Sequence, residues 1–285
     1  MGALQKTINE KGRHPVVAGL FYPEEKIDLE SQLCSLGLES GVGGKAAAII
    51  APHGAWNLSG APAAAAFSAA AGRAWQRNGG EGISRVVILG TIHNKEDQGI
   101  FFSDSQFFET PLGRMWIDSE VSETLASCST LFETNDIPHL KETSVEVLLP
   151  LVQFCFPGAA IVPVLMGGAQ PRLVSALARA LQVSLEPILN DTLLVISSNI
   201  SLQDDEPGAR SAAESCIRLL EEKKTAEFIS GVQDGRISSC GGPLIAALLE
   251  SGLVADRKVR LVSNPLLTAK GDWGHYTCYA GIAFE

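Results

Sequence analysis

Six short apolar runs punctuate the chain: AAAII (46–50), RVVILG (85–90), AAIVPVLM (159–166), TLLVIS (192–197), VRLVS (259–263) and YTCYAGIAF (276–284). None shows strict polar alternation. A strand with no polar face has to be covered on both sides, as in a largely parallel sheet packed between helices. Between the runs lie segments with apolar residues at three- and four-residue spacing, at 60–75, 119–129, 142–155, 171–184, 208–230 and 242–252. This order predicts an α/β fold with a central, mostly parallel or mixed sheet and helices on both faces. The alanine-rich stretch AAAAFSAAAGRA (63–74) suits a helix lying close against that sheet.

Composition narrows what such a fold does. The 285 residues suffice for a full core and contain no evident linker, so one domain is expected. The 22 basic and 32 acidic residues are spread without long runs, which argues against nucleic acid as a partner. The N-terminal stretch MGALQKTINEKGRHP has no apolar core of the signal-peptide kind, and no stretch approaches a spanning helix. A soluble, cytoplasmic protein without membrane contact is expected. Gln5-Lys6 does not fit a myristoylation signal. Cys34, Cys128, Cys155, Cys216, Cys240 and Cys278 have no CxxC spacing, so free thiols, most of them inert core residues, are expected over a disulfide framework.

In open α/β sheets the functional groups gather where strands end and helices begin. His53 follows the first run (APHGAWNLSG, 51–60), His93 follows the second (ILGTIHN) and Asn199 the fourth (VISSNIS). Only five histidines exist, and two stand at equivalent strand ends. Each would read alone as a hydrogen-bonded structural residue; the pair admits a ligand role equally. A third group lies in RISSCGGPLIAALLESG (236–252), where Pro243 suits the first turn of a helix and Cys240 falls at or just before its N-terminus. There the helix dipole favours thiolate, so Cys240 is the cysteine with a reason to react or to ligate metal. The plainer alternative is a small residue in a Gly-rich turn.

Taken in order, AGLFYP (18–23), APHGAWNLSG (51–60), VVILGTIHN (86–94), FFETPLG (107–113) with Trp116-Ile117-Asp118, ETSVEVLLP (142–150), IVPVLMGG (161–168), VISSN (195–199), SCGGPLIAALL (239–249) and TAKGD (268–272) resemble the Memo family, also called AmmeMemoRadiSam system protein B. The resemblance runs from residue 13 to 285, leaving residues 1–12 as a tail. It implies a fold similar to LigB-type class III extradiol dioxygenases. It also implies a metal pocket in which the family's two histidines and cysteine match His53, His93 and Cys240. Iron(II) or copper(I) is the implied metal, with zinc admissible and no organic cofactor. AMMECR-type and radical-SAM proteins are the partners that the family's compound name implies.

The departures from the family pattern are as informative. SSDFxHWG reads Ser197-Ser198-Asn199-Ile200-Ser201-Leu202-Gln203-Asp204, so an aspartate becomes Asn199 and a histidine Leu202. EHSxExHLP keeps Glu142 and Glu146 but neither histidine, and the tryptophan of AGxWY is Phe21. We therefore expect Glu142, Glu146 and Asn199 as catalytic candidates, and Phe21, Trp56, Leu202 and His275 around the substrate. Two imidazoles and a thiolate leave room for water, oxygen or substrate, and the sulfur selects iron, copper or zinc over magnesium or calcium. The expected function is a metal-dependent, dioxygenase-like oxidoreductase. Its alternatives are a non-catalytic protein that binds a peptide or small molecule in the same pocket, and a metal-free thiol enzyme. ETSVEVLLP also has a plain reading as an amphipathic helix with both glutamates on one side.

Overall fold

The computed structural model describes residues 10–38, 43–73, 82–268 and 274–285. Most of the tail expected over 1–12, the end of the helix expected over 60–75 and most of TAKGD lie outside the described residues. Among the described residues, eight strands form the central sheet, in the spatial order Val259–Leu261, Ile282–Phe284, Ala48–Ala51, Thr192–Ser197, Arg85–Thr91, Ala160–Gly167, Gly99–Phe102, Phe132–Thr134. The middle four run parallel, with Val87 opposite both Leu194 and Val162. Ile282–Phe284 and Gly99–Phe102 add antiparallel on either side, which makes the sheet mixed.

Alternate residues of the parallel strands enter two separate cores. Ile49, Val86, Ile161 and Val195 pack with Phe67, Leu33 and Leu151 of helices Trp56–Ser68, Lys26–Ser35 and Leu149–Cys155. Ile50, Val87, Val162 and Ile196 pack with Leu181, Ile217 and Leu248 of Pro171–Leu185, Glu206–Glu221 and Gly242–Glu250 on the other face. Both faces are thus covered, which explains the missing polar alternation. Each fully buried aliphatic side chain contributes about 1.5–3 kcal/mol. In the helix Trp56–Ser68 the small side chains of Ala63, Ala64 and Ala66 are buried.

Three predicted elements divide. The segment 208–230 becomes Glu206–Glu221 and Thr225–Gln233, because Lys223 turns left-handed (φ 55°) and the N–H of Lys224 reaches back to the Leu219 carbonyl at 2.8 Å. That is a glycine-type helix stop made with lysine, so it carries no composition signal. The run 276–284 serves two sheets: Tyr276–Tyr279 pairs with Ser201–Gln203 and Leu266–Leu267, and only Ile282–Phe284 joins the central sheet. The single helix predicted over 142–155 is corrected to a turn at Glu146–Leu148 followed by Leu149–Cys155. Oε1 of Glu142 accepts the N–H groups of Thr143 and Ser144, both at 2.8 Å, so its own side chain captures donors that a helix start would use. The two glutamates therefore do not share one helical face.

Short elements with charged residues on one side escaped the periodicity reading. The hairpin Phe107–Thr110 and Gly113–Trp116 forms a small sheet with Gly12–Arg13. Helices Lys26–Ser35 and Asp136–Lys141 were likewise not predicted. Among the described residues no helix is long and apolar enough to cross a membrane.

Leu181 is fully buried on helix Pro171–Leu185, while Val183, two residues on, is 61% exposed. Leu181→Ala is expected to lower unfolding free energy by about 2–5 kcal/mol, and Val183→Ala to change it by less than about 0.5 kcal/mol. Urea titration by circular dichroism reads both; equal effects would contradict the two-core packing.

Candidate metal centre

Three elements deliver the site at the carboxyl edge of the parallel strands. His53 stands two residues past Ala48–Ala51, and His93 two past Arg85–Thr91. Cys240 immediately precedes Gly241, the N-cap of helix Gly242–Glu250. Gly54 has φ +143°, a value side-chain-bearing residues rarely adopt, and this turn sends the chain from His53 into helix Trp56–Ser68. Gly241 allows the helix start to touch the strand end, since a Cβ there would lie 2.5 Å from Cβ of Ser198.

Nε2 of His53 lies 3.3 Å from Nε2 of His93 and 3.6 Å from Sγ of Cys240, and the three ligand atoms all fall within 4.8 Å of one another. Neighbours assign the tautomers. Ser197 Oγ donates to the Ser144 carbonyl at 2.6 Å, so the contact of 2.8 Å between His53 Nδ1 and Ser197 Oγ needs its proton on Nδ1. His53 then turns the Nε2 lone pair into the site. His93 Nδ1 meets both carboxylate oxygens of Glu142 at 3.1 and 3.2 Å, while its backbone N–H donates to Oε2 at 2.8 Å. Its Nε2 likewise faces inward. The backbone N–H of Asn199 donates to Sγ of Cys240 at 3.1 Å, and the Asn199 Oδ1 accepts the His53 N–H at 3.1 Å. The hydroxyl of Ser198 ties the turn together, accepting the Gly241 N–H at 2.9 Å and contacting the Ser239 hydroxyl at 2.7 Å.

Charge follows from this arrangement. Burial alone would raise the Cys240 thiol, but the two imidazoles outweigh it and hold the thiol well below 9.0. Burial would likewise lower His93, yet hydrogen bonding and charge from Cys240 and Glu142 raise it to about 10. The same pairing overcomes the effect of burial on Glu142 and holds its carboxyl at about 2. Cys155, Cys216 and Cys278 go the other way: burial pushes their thiols up to about 12, 12 and 11. Cys240 is therefore set apart from the buried thiols by its surroundings. Cys34 and Cys128 are exposed rather than part of the core.

The donor set fits a metal ion. Bonds of about 2.0–2.1 Å to nitrogen and about 2.3 Å to sulfur, at tetrahedral angles, separate the ligands by about 3.3 Å (N to N) and about 3.6 Å (N to S). Those are the two spacings found between the His53 nitrogen and its neighbours. Two inward lone pairs beside a thiolate also need a positive charge between them. A proton on His93 would supply it, and a bound metal ion would take that proton's place.

The remaining residues singled out by sequence divide between the site and its surroundings. Glu142 and Asn199 are in it, as partners of His93, His53 and Cys240. Glu146 is fully buried elsewhere: Oε2 pairs with the Arg13 guanidinium at 2.7 Å, while Oε1 accepts the N–H of Val16 and Val17 and the Tyr22 hydroxyl. Trp56 is buried, with its indole N–H on the Val147 carbonyl at 3.0 Å, and its backbone N–H donates to the half-buried Phe21. Leu202 is 43% exposed on the small sheet, paired with Thr277, and His275 meets Asp204 at 2.8 Å. The hydroxyls of Ser144, Ser197, Ser198 and Ser239 were not singled out; only their places next to Asn199, Cys240 and Glu142 hinted at them.

An α/β sheet with a His-His-Cys cluster at its carboxyl edge defines the class of the protein, since those three side chains could hold a metal ion together. Comparison with known sequences then assigns the family. The Memo profile, described as Memo-like protein, matches residues 13–277. A MEMO1 family protein of Thermotoga neapolitana is 31% identical over 257 residues, covering 86% of this chain and 90% of that protein. MEMO1 family proteins of Nitrosopumilus maritimus and Desulfurococcus amylolyticus are each 26% identical, and cover 95% and 96% of this chain and 99% of their own lengths. The chain belongs to the Memo family.

The pH dependence has a definite sign. The His93 value lies above its ordinary 6.5, so the stabilisation from its pairing is complete below pH 6.5 and is lost as pH rises through about 10. That of Glu142 is complete above 4.5 and is lost as pH falls through about 2. Because a metal must displace the His93 proton, zinc affinity is expected to rise up to about tenfold per pH unit between about pH 7 and 9. Calorimetry in buffers of different ionisation enthalpy should register the released proton, and a pH-independent affinity would contradict the assignment. Ser197→Ala, which removes the partner of His53, is expected to weaken zinc by about 10–100-fold.

Proposed function

We propose that this Memo-family protein is an iron- or copper-dependent oxidoreductase whose metal is held by His53, His93 and Cys240. The observation that carries the proposal is the spacing of 3.3 and 3.6 Å between one imidazole nitrogen and its two neighbours, which matches a metal-ligand set. Bound iron or copper would supply redox and Lewis-acid chemistry at a position left open by only three protein ligands. The chain's own residues prepare that position. Ser197 and Glu142 fix the orientation of the two rings, and the Asn199 N–H holds the thiolate in place. The thiolate favours iron, copper or zinc over harder ions. We place the protein in the cytoplasm, where reducing conditions keep Cys240 available as a ligand.

A second reading has one observation behind it. The Glu142 carboxylate is committed to His93, and Asn199 carries an amide that takes up no proton, so neither serves as a base. A protein that binds a ligand without turning it over fits that arrangement.

Elemental analysis of anaerobically purified protein separates these. Wild type is expected to retain close to one iron or copper per chain, with affinity falling on the order of 100-fold in His53→Ala and Cys240→Ser. No metal in wild type, and none taken up after anaerobic Fe(II) or Cu(I) addition, would defeat the oxidoreductase reading. Metal retention without oxygen consumption across a substrate panel would favour the binding role.

A further inference from the structure

We propose that Arg13 is a positioning residue for the metal centre: its guanidinium locks the segment 139–146, and through Glu142 in that segment it fixes the ring of His93. The inference rests on the metal reading for its effect on metal affinity, but not for its effect on the ring. Arg13 belongs to the short strand Gly12–Arg13, where it stands opposite Phe108, and its guanidinium carbon lies 5.2 Å from the centre of the Phe108 ring. From that buried seat it reaches three acceptors spread along 139–146. Nε donates to the His139 carbonyl, while Nη2 donates to the Glu142 carbonyl at 3.2 Å and pairs with Oε2 of Glu146 at 2.7 Å. A planar guanidinium fork serves several acceptors in fixed directions, which a lysine ammonium does not.

Glu142 sits between the two outer anchors. It closes helix Asp136–Lys141 in an extended conformation (φ −90°, ψ 137°), so its carbonyl lies outside the helical ladder and Arg13 takes it instead. Its carboxylate in turn receives the His93 N–H and meets Nδ1 of that ring with both oxygens. The His93 side chain is 51% exposed, so packing alone does not hold it and the Glu142 carboxylate has to. Glu146, the far anchor, is itself tied down by the N–H groups of Val16 and Val17. A buried ion pair gives little net stability over an apolar replacement. What this one contributes is direction: it sets where the Glu142 carboxylate points, and outer partners of this kind orient metal ligands.

Two variants test this. Arg13→Lys keeps a cation opposite Glu146 but not the fork; Arg13→Met combined with Glu146→Gln removes both charges and leaves an oxygen for Val16, Val17 and the Tyr22 hydroxyl. Leu181→Ala, in the opposite core, is the control that loses stability without touching these contacts. Circular dichroism checks that each folds, and Arg13→Lys carries the test if the double variant does not. Carbon-13 relaxation of histidine-labelled, chelator-treated protein then reads the His93 ring. It should be ordered in wild type and in Leu181→Ala, with an order parameter of about 0.85, and fall below about 0.6 in the Arg13 variants. Cobalt(II) affinity, followed by the thiolate charge-transfer band, should weaken at least tenfold in the double variant and at least threefold in Arg13→Lys. Because Arg13 acts through Glu142, Arg13→Lys should cost less than about twofold once Glu142→Gln is in place. The proposal is overturned if a folded Arg13 variant keeps His93 ordered, if Leu181→Ala disorders it equally, or if the losses from Arg13→Lys and Glu142→Gln simply multiply. Should wild type take up no cobalt at all, the metal reading falls, and the order of the His93 ring decides the role of Arg13.

Discussion

Parallel pairing of Ala48–Ala51, Thr192–Ser197, Arg85–Thr91 and Ala160–Gly167 is the constraint on which everything else rests. Four strands buried on both faces have no place for polar side chains along their length, so polar groups collect where the strands end. Parallel direction brings those ends to one edge. His53, His93 and the Ser197–Asn199 segment thus become neighbours although 40 to 146 residues separate the pairs. The turn that leads from Cys240 into helix Gly242–Glu250 completes the cluster by meeting the end of Thr192–Ser197 at Gly241 and Ser198.

Two buried carboxylates show how one motif divides its labour. Glu142 and Glu146 stand four residues apart, and a helical reading puts them side by side. Instead Glu142 is spent on His93, while Glu146 closes a buried ion pair with Arg13 and gathers the N–H groups of Val16 and Val17. The Arg13 guanidinium also donates to the Glu142 carbonyl at 3.2 Å, so the N-terminal segment and the site share one support. A buried pair of this kind adds little net stability over an apolar core, yet losing one partner strands a charge.

The central strands and the His53-His93-Cys240 cluster were legible because their signals are local: apolar runs, then a histidine or a helix-opening cysteine. The tertiary partners were not. Nothing in the sequence around Ser197 says that its hydroxyl will fix an imidazole tautomer, since that depends on the Ser144 carbonyl 53 residues away. The stop at Lys223 was invisible because lysine adopts a conformation usually marked by glycine. The run 276–284 looked continuous because both halves are apolar, although they belong to different sheets.

Ile282–Phe284 occupies the slot between Ala48–Ala51 and Val259–Leu261. More than two hundred residues thus separate strands that share hydrogen bonds. Contacts of such separation must close a very long loop before they yield any gain, and that slows folding. As the chain emerges during synthesis, the edge of Ala48–Ala51 waits without its antiparallel neighbour, exposing unpaired backbone groups of the kind that promote misassociation. Since Cys240 arrives almost as late, assembly of the His53-His93-Cys240 cluster is bound to the closing steps of folding.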